Sequence, residues 1–377
     1  MTAHLPSQAG GPAAGPGRAG FQPPAVIAFD RVSKRYRGGR LALDDVTLGL
    51  PDGGSLGLVG ESGSGKTTCV RLALGLDRPT SGRLTFNGAA YPAGRGGLRP
   101  LRRQIGFVLQ DPYDSLDPRM TIRDVVAEPL RIHRLPGGRG RAADRVVAGQ
   151  LAAVGLPGAD LRSYPSRYSG GGRQRIAIAR ALIGSPSVLI CDEPTSSLDV
   201  SVQSQIVNLL LDARRERHLS MLFVTHDLDL IGRVVDTVAV MYGGRVVETG
   251  PAELIRRSPR HPYTRALHDA VPADHPRGRR LASRGAGPLE TAGAGGDAGA
   301  VPPASQDEAA AGYPAEPGGA GRTGAAAHES CIFASRCPRA QDRCRDERPP
   351  MIEEDALRSY ACFFPLPEER MADDGRV

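Results

Sequence analysis

The chain has no tryptophan and only two lysines, Lys34 and Lys66, so arginine supplies 46 of its 48 basic side chains. It also lacks any run approaching the ~18 consecutive apolar residues that a membrane-spanning helix needs. That excludes an integral membrane protein of the helical kind. The first twenty residues, MTAHLPSQAGGPAAGPGRAG, have no basic segment followed by an apolar core. They are read as no secretory signal, and the protein as cytosolic. Against 41 acidic residues the basic ones leave a net charge of +7. A basic surplus ordinarily raises nucleic acid as a partner. Here the arginines are scattered among Asp and Glu, and with 48 Gly and 32 Pro they read as a bias of coding composition, so no nucleic acid is expected.

What is present, over 377 residues, is enough for one large or two moderate domains. Residues 1–24 are rich in Gly, Ala and Pro and are expected to form a disordered tail. The strand-like runs AVIAFDRVSKRY and LALDDVTLGL follow. A short apolar run, SLGLVG, then enters a glycine-rich loop, and TTCVRLALGL continues at helical spacing. Residues 100–165 read mostly as helix. Beyond them come helix RQRIAIARALIG, strand SVLICDEP, helix VQSQIVNLLLDARRER, strand SMLFVTHD and the strand pair TVAVMYGGRVVETG. This alternation predicts an α/β domain over residues 25–274 with a largely parallel sheet. Residues 275–328 have no periodic apolar face and read as a flexible linker. Residues 329–377 form a small extension that contains four cysteines.

Gly60-Glu61-Ser62-Gly63-Ser64-Gly65-Lys66-Thr67 fits G-x-x-x-x-G-K-[ST] between a strand and a helix. Its glycines let successive backbone N–H groups curl around phosphates, and the helix N-terminus adds a partial positive charge. Lys66 is expected to reach the β- and γ-phosphates and the Thr67 hydroxyl to ligate Mg²⁺. A sequence that uses arginine almost everywhere keeps lysine here. A compact ammonium enters a phosphate cradle that a planar guanidinium does not fit. No Asn-Lys-x-Asp motif exists to read guanine, which argues against a GTPase. The apolar strand Val188-Leu189-Ile190-Cys191 ends in Asp192-Glu193. The first acid is placed to hold Mg²⁺ through water and the second to polarise an attacking water. The strand Met221 to Thr225 ends at His226, positioned for the γ-phosphate.

Tyr168-Ser169-Gly170-Gly171-Gly172-Arg173-Gln174-Arg175 opens the next helix. With it the sequence resembles the ATP-binding subunits of ABC transporters, whose signature reads Leu-Ser-Gly-Gly-Gln, over roughly residues 25–274. The resemblance implies a P-loop NTPase of the ABC ATPase type, an α/β fold with a mixed sheet core, a helical subdomain about 111–168 and an antiparallel β subdomain. It implies ATP bound by Gly60, Ser62, Gly63, Ser64, Gly65, Lys66, Thr67 and Thr68, with Tyr36 stacked on adenine. Mg²⁺ would be held through Thr67, Gln110 and Asp192. Glu193 would be the general base, Gln110 would touch the attacking water, and His226 would be the γ-phosphate switch. Two such domains would pair head to tail, with Ser169, Gly170 and Gly171 facing the partner's ATP and the loop Ser197-Leu198-Asp199 crossing the interface. The signature departs at Tyr168, for leucine, and at Gly172, for glutamine. Stimulation of the partner's ATP site is therefore expected to be weakened, with the chain's own phosphate loop intact.

Three segments narrow the resemblance. Gln110-Asp111-Pro112-Tyr113-Asp114-Ser115-Leu116-Asp117-Pro118-Arg119 and His261-Pro262-Tyr263-Thr264-Arg265-Ala266-Leu267 are similar to segments of dipeptide and oligopeptide importers. The third is the tail with Cys331, Cys337, Cys344 and Cys362. That family carries such an extension, and in some members it holds an iron–sulfur cluster. Four thiolates suit a [4Fe–4S] cluster or a structural zinc, and the spacing leaves these and unligated thiols open. Cys69 and Cys191 read as buried small hydrophobes. The implied partners are a second, related ATPase subunit in a heterodimer, two transmembrane permease subunits and an extracytoplasmic solute-binding protein. The implied place is the cytoplasmic face of the membrane. The solute (peptide, nickel or another small molecule) is not encoded here. Two rivals stand beside this reading: a degenerate subunit regulating a more active partner, and a soluble ABC-type ATPase acting on ribosomes or DNA.

Overall fold

A strand buried on both faces sends alternate side chains to opposite sides of its sheet, and that alternation organises this chain. The computed structural model describes residues 25–92, 94, 96–270, 329–355 and 357–368. The expected tail 1–24 and linker 275–328 lie outside the described residues. Five parallel strands make the centre of the main sheet, in the order β9 (Thr237–Tyr242), β3 (Ser55–Val59), β8 (Ser220–Thr225), β7 (Val188–Asp192) and β6 (Ile105–Val108). On the far side of β9 the sheet continues antiparallel through β10 (Arg245–Pro251), β12 (Ser359–Tyr360) and β11 (Ile352–Glu353). A second, antiparallel sheet has the order β2 (Leu41–Pro51), β1 (Ala25–Arg35), β4 (Ser81–Phe86) and β5 (Ala89–Ala90).

The alternation separates two cores. Leu58, Ile190, Leu222, Val224 and Met241 pack with helix α1 (Lys66–Ala73) and the antiparallel sheet. Val59, Leu189, Met221, Phe223 and Val240 pack on the opposite side. That side holds α6 (Gly170–Leu182), α7 (Val200–Arg217), α8 (Leu228–Val234) and α9 (Ala252–Arg257). Helix α2 (Leu98–Arg103) leads into β6, and α3 (Pro112–Ser115), α4 (Ile122–Ile132) and α5 (Gly140–Ala153) lie between β6 and α6. Cys69 and Cys191 are fully buried, as expected, and burial pushes the Cys69 thiol up to about 12.

Two strands longer than two residues were not foreseen. Ile105–Val108 falls in the stretch read mostly as helix, and Ser81–Phe86 was not read as an element. Four apolar residues carry no period that distinguishes strand from helix. Pairing with β7 in register Ile105↔Val188 through Val108↔Cys191 makes the first a strand. The second forms because β1 offers its other edge, in register Ile27↔Phe86.

Helix α10 (Pro262–Ala270) begins at His261-Pro262-Tyr263, and α11 (Asp342–Asp346) lies in the cysteine-bearing extension. The extension adds its strand β12 to β10, pairing Tyr360 with Glu248 and Ser359 with Thr249. Glu248 is fully buried and meets the Arg358 guanidinium at 2.8 Å. It also accepts the backbone N–H groups of Arg260 at 2.8 Å and His261 at 2.9 Å. A buried carboxylate needs such a set of donors to offset its lost hydration.

Candidate functional site

The phosphate loop connects β3 to α1 and depends on two glycines. At Gly60 a Cβ would lie 2.2 Å from the Met241 carbonyl oxygen, so no side chain fits there. Gly65 takes a left-handed conformation, φ 107°, directly before α1, where a Cβ would also meet Leu43 and the Ala42 carbonyl. A cavity opens beside the loop, lined by Arg40, Ala42, Gly63, Gly65, Thr67 and Thr68. Ser62 is exposed at the loop's turn, while the Ser64 hydroxyl is buried without a hydrogen-bond partner.

Lys66 is 6% exposed, and its ammonium donates to the Gly60 carbonyl at 2.6 Å and the Glu61 carbonyl at 3.0 Å. Burial lowers its pKa, an effect opposed by Glu193, Asp192 and Glu61. Burial also pushes the Asp192 carboxyl up to about 6, helped by Glu193 and countered by Lys66. A desolvated carboxyl at a strand end beside an ammonium has the chemistry of a metal-holding acid. The donor set therefore fits an anionic phosphate with a hard cation beside it.

Three expected residues from three separate segments come together past the ends of β6, β7 and β8. Gln110 Nε2 donates to Glu193 Oε2 at 3.2 Å, and His226 Nδ1 lies 3.4 Å from the same oxygen. Glu193 takes an unusual positive φ of 45°, secured because its N–H donates to the Val224 carbonyl at 2.9 Å and its carbonyl accepts the Ser196 hydroxyl at 3.1 Å. The strained turn turns the carboxylate away from the strand, next to Gln110 and His226.

Other expected residues sit elsewhere. The Tyr36 ring lies under the Lys34 ammonium at 5.0 Å, and its hydroxyl donates to Asp77 at 2.9 Å. Ser169, Gly170 and Gly171 do not line the phosphate cavity of their own chain. They form the N-terminus of α6, where the Ser169 hydroxyl accepts the Gly172 N–H at 3.2 Å. Gly170 faces Leu198 and Gly171 faces Val202, so the signature packs against the Ser197–Asp199 loop. Ser197 and Asp199 are exposed, and the Asp199 carboxylate caps α7 by accepting the Val202 N–H at 2.9 Å. Cys331, Cys337, Cys344 and Cys362 line one small pocket together with His261 and Phe333. Burial raises the Cys331 and Cys337 thiols and pushes Cys362 up to about 11. Among the described residues no group of His, Cys, Asp or Glu side chains is arranged to hold a metal ion.

Sequence reasoning missed Arg40 in the phosphate cavity, and Tyr263 and Arg336, which both contact Glu61. Tyr263 had been singled out only as part of a similar segment, and nothing local to Arg336 signals its partner.

Residues 43–196 match the family model described as ABC transporter, and residues 247–296 match the one described as oligopeptide/dipeptide transporter, C-terminal region. A putative peptide import ATP-binding protein of Brucella abortus (strain 2308) is 42% identical over 331 residues, which cover 86% of this chain and 88% of that one. The chain belongs to the ABC transporter family. It is an ABC ATPase, and the glutathione import ATP-binding protein GsiA of Salmonella typhimurium is 47% identical to it over 249 residues, 66% of this chain and 39% of that one. Among solved structures, cbiO1 from Clostridium perfringens superposes with a TM-score of 0.56 at 29% identity, over 61% of this chain and 90% of that one. A dimeric ATP-binding cassette in a post-hydrolysis state with ADP and Pi gives 0.55 at 29% identity, over 60% and 98%. The expected P-loop ATPase fold, with its mixed sheet and antiparallel β sheet, is borne out.

Proposed function

We propose that this ABC ATPase is the ATP-hydrolysing subunit of an importer for peptides or a related small solute. The observation that carries the chemistry is the convergence of Gln110 and His226 on the Glu193 carboxylate. Glu193 acts as general base toward a water, and His226 contacts the γ-phosphate. Gly60 to Thr68 cradle the phosphates, Lys66 leaves its two carbonyls for them, and Tyr36 stacks on adenine. Thr67, Gln110 and Asp192 would hold Mg²⁺, which neutralises charge on the phosphates. We read residues 25–274 as the nucleotide-binding domain and 329–377 as its extension.

Partners follow from the same reading. The signature at the start of α6 and the exposed Ser197–Asp199 loop, followed by Val200 at 79% exposure, support a head-to-tail interface with a second, related ATPase subunit. A groove lined by Phe107, Leu109 (next in sequence to Gln110), Glu128, Ile132, His133 and Arg180 suits a docked permease segment. Among the described residues no helix is long and apolar enough to cross a membrane, in keeping with a peripheral subunit held at the cytoplasmic face. Import also calls for an extracytoplasmic solute-binding protein. The four thiols converge on one cavity, and iron and zinc analysis after anaerobic purification separates a [4Fe–4S] cluster, zinc and free thiols. Purification from its own membranes tests the assignment: the chain is expected to bring down two permease subunits, and recovery with ribosomes or DNA instead would overturn it.

The signature departure gives a second test. A Cβ at Gly172 would meet Tyr168 Cβ at 3.2 Å and Ser169 Oγ at 3.4 Å, close contacts that a small adjustment relieves. Gly172→Gln should stabilise the first turn of α6 by about 0.5–1 kcal/mol and raise ATP turnover of the assembled dimer. An unchanged rate of phosphate release would remove Gly172 as the cause of weakened stimulation and with it the regulatory-subunit reading.

A further inference from the structure

Glu61, the second residue of the phosphate loop, is held from outside the loop. Its carboxylate accepts two hydrogen bonds from Arg336, Nη1 to Oε2 at 2.8 Å and Nη2 to Oε1 at 2.9 Å, from 275 residues away in sequence. This is the bidentate geometry that makes arginine–carboxylate pairs strong and directional. The Glu61 N–H donates to the Tyr263 hydroxyl at 2.8 Å, and the Glu61 carbonyl is one of the two that hold Lys66. Arg336 is itself well placed. Its N–H donates to the Phe333 carbonyl at 3.0 Å within the turn between Cys331 and Cys337. The Phe333 ring packs on Tyr242 and Tyr263 at 5.2 and 5.4 Å, and the Arg336 guanidinium lies 5.7 Å from the centre of the Tyr242 ring. The cysteine-bearing extension thus reaches the nucleotide loop through one charged pair on an aromatic base.

We propose that Arg336 is a positioning residue for ATP, cancelling the Glu61 charge beside the phosphate cradle, so that the C-terminal extension sets nucleotide affinity. The proposal rests on the reading of Gly60–Thr67 as the ATP site. Glu61 is near enough to act electrostatically on the Lys66 ammonium. Left unpaired, the same carboxylate repels an incoming polyphosphate and competes for the ammonium. Both side chains are about half exposed, Glu61 at 42% and Arg336 at 53%, so solvent screens the effect and the result is a tuned affinity, not an on–off switch.

The test uses the full chain and two readouts, the KM and kcat of phosphate release and the binding of a fluorescent ATP analogue. Arg336→Ala should raise KM about fivefold with kcat changed much less, and Arg336→Lys should recover part of the loss. Adding Arg336→Ala on top of Glu61→Gln should change KM no further, because no charge is left to cancel. The Arg336→Ala penalty should also shrink as salt rises. Two results overturn the proposal while Lys66→Ala still loses nucleotide: an unchanged KM in Arg336→Ala, or a double variant that is fully additive. If Lys66→Ala binds the analogue as the parent does, the phosphate-loop reading fails and the proposal falls with it.

Discussion

Glu193→Gln should lower the rate of ATP hydrolysis by about 10³-fold while leaving ATP bound. Glutamine keeps the shape and retains a hydrogen-bonding partner for Gln110, but it cannot take a proton from water. The backbone around it should hold, because the positive φ at Glu193 is maintained by main-chain bonds to Val224 and by the Ser196 hydroxyl, none of which involves the carboxylate. Phosphate release under saturating MgATP, read beside a binding isotherm, separates the two effects. A rate within a few-fold of the parent would move the base elsewhere, and the convergence of Gln110 and His226 would then be a structural contact.

Lys66→Ala should weaken ATP binding by about 10²-fold. The ammonium is 6% exposed and waits on two carbonyl oxygens that it exchanges for phosphate oxygens. Its loss also removes the positive charge that counters the upward shift at Asp192. The Asp192 carboxyl, already pushed up to about 6, then rises further and holds its proton nearer neutrality, which weakens it as a metal-holding group. Lys66→Arg should not rescue the loss, since a planar guanidinium does not fit where an ammonium sits 2.6 Å from the Gly60 carbonyl. Titration with a fluorescent ATP analogue measures both variants. Parent-like affinity in Lys66→Ala would refute the assignment of this loop.

Much of the candidate site was legible because its chemistry is written in contiguous residues. Gly60 to Thr67 form one loop, and Asp192-Glu193 end one apolar strand, so spacing alone carries their meaning. Gln110 was placed at the site by resemblance, and His226 by its position at a strand end together with the resemblance. Their meeting on one Glu193 oxygen depends on the parallel order β6, β7, β8, which puts three strand ends side by side. Strand β6 itself was hidden, because Ile105–Val108 is too short to show a period and becomes a strand through its pairing with β7.

The amino-acid sequence by itself determined the class of chemistry. A lysine retained in an arginine-rich chain, glycines at fixed offsets and acids at the end of an apolar strand are local facts, and phosphate recognition by a loop and helix N-terminus is a local interaction. The contact between the extension and the phosphate loop was decided only by tertiary structure. Arg336 and Glu61 are separated by 275 residues, and neither has a neighbour in sequence that points to the other. They meet because β12 pairs with β10 and Phe333 packs on Tyr242 and Tyr263. A charge pair acts over a few ångströms in space, whatever the distance along the chain.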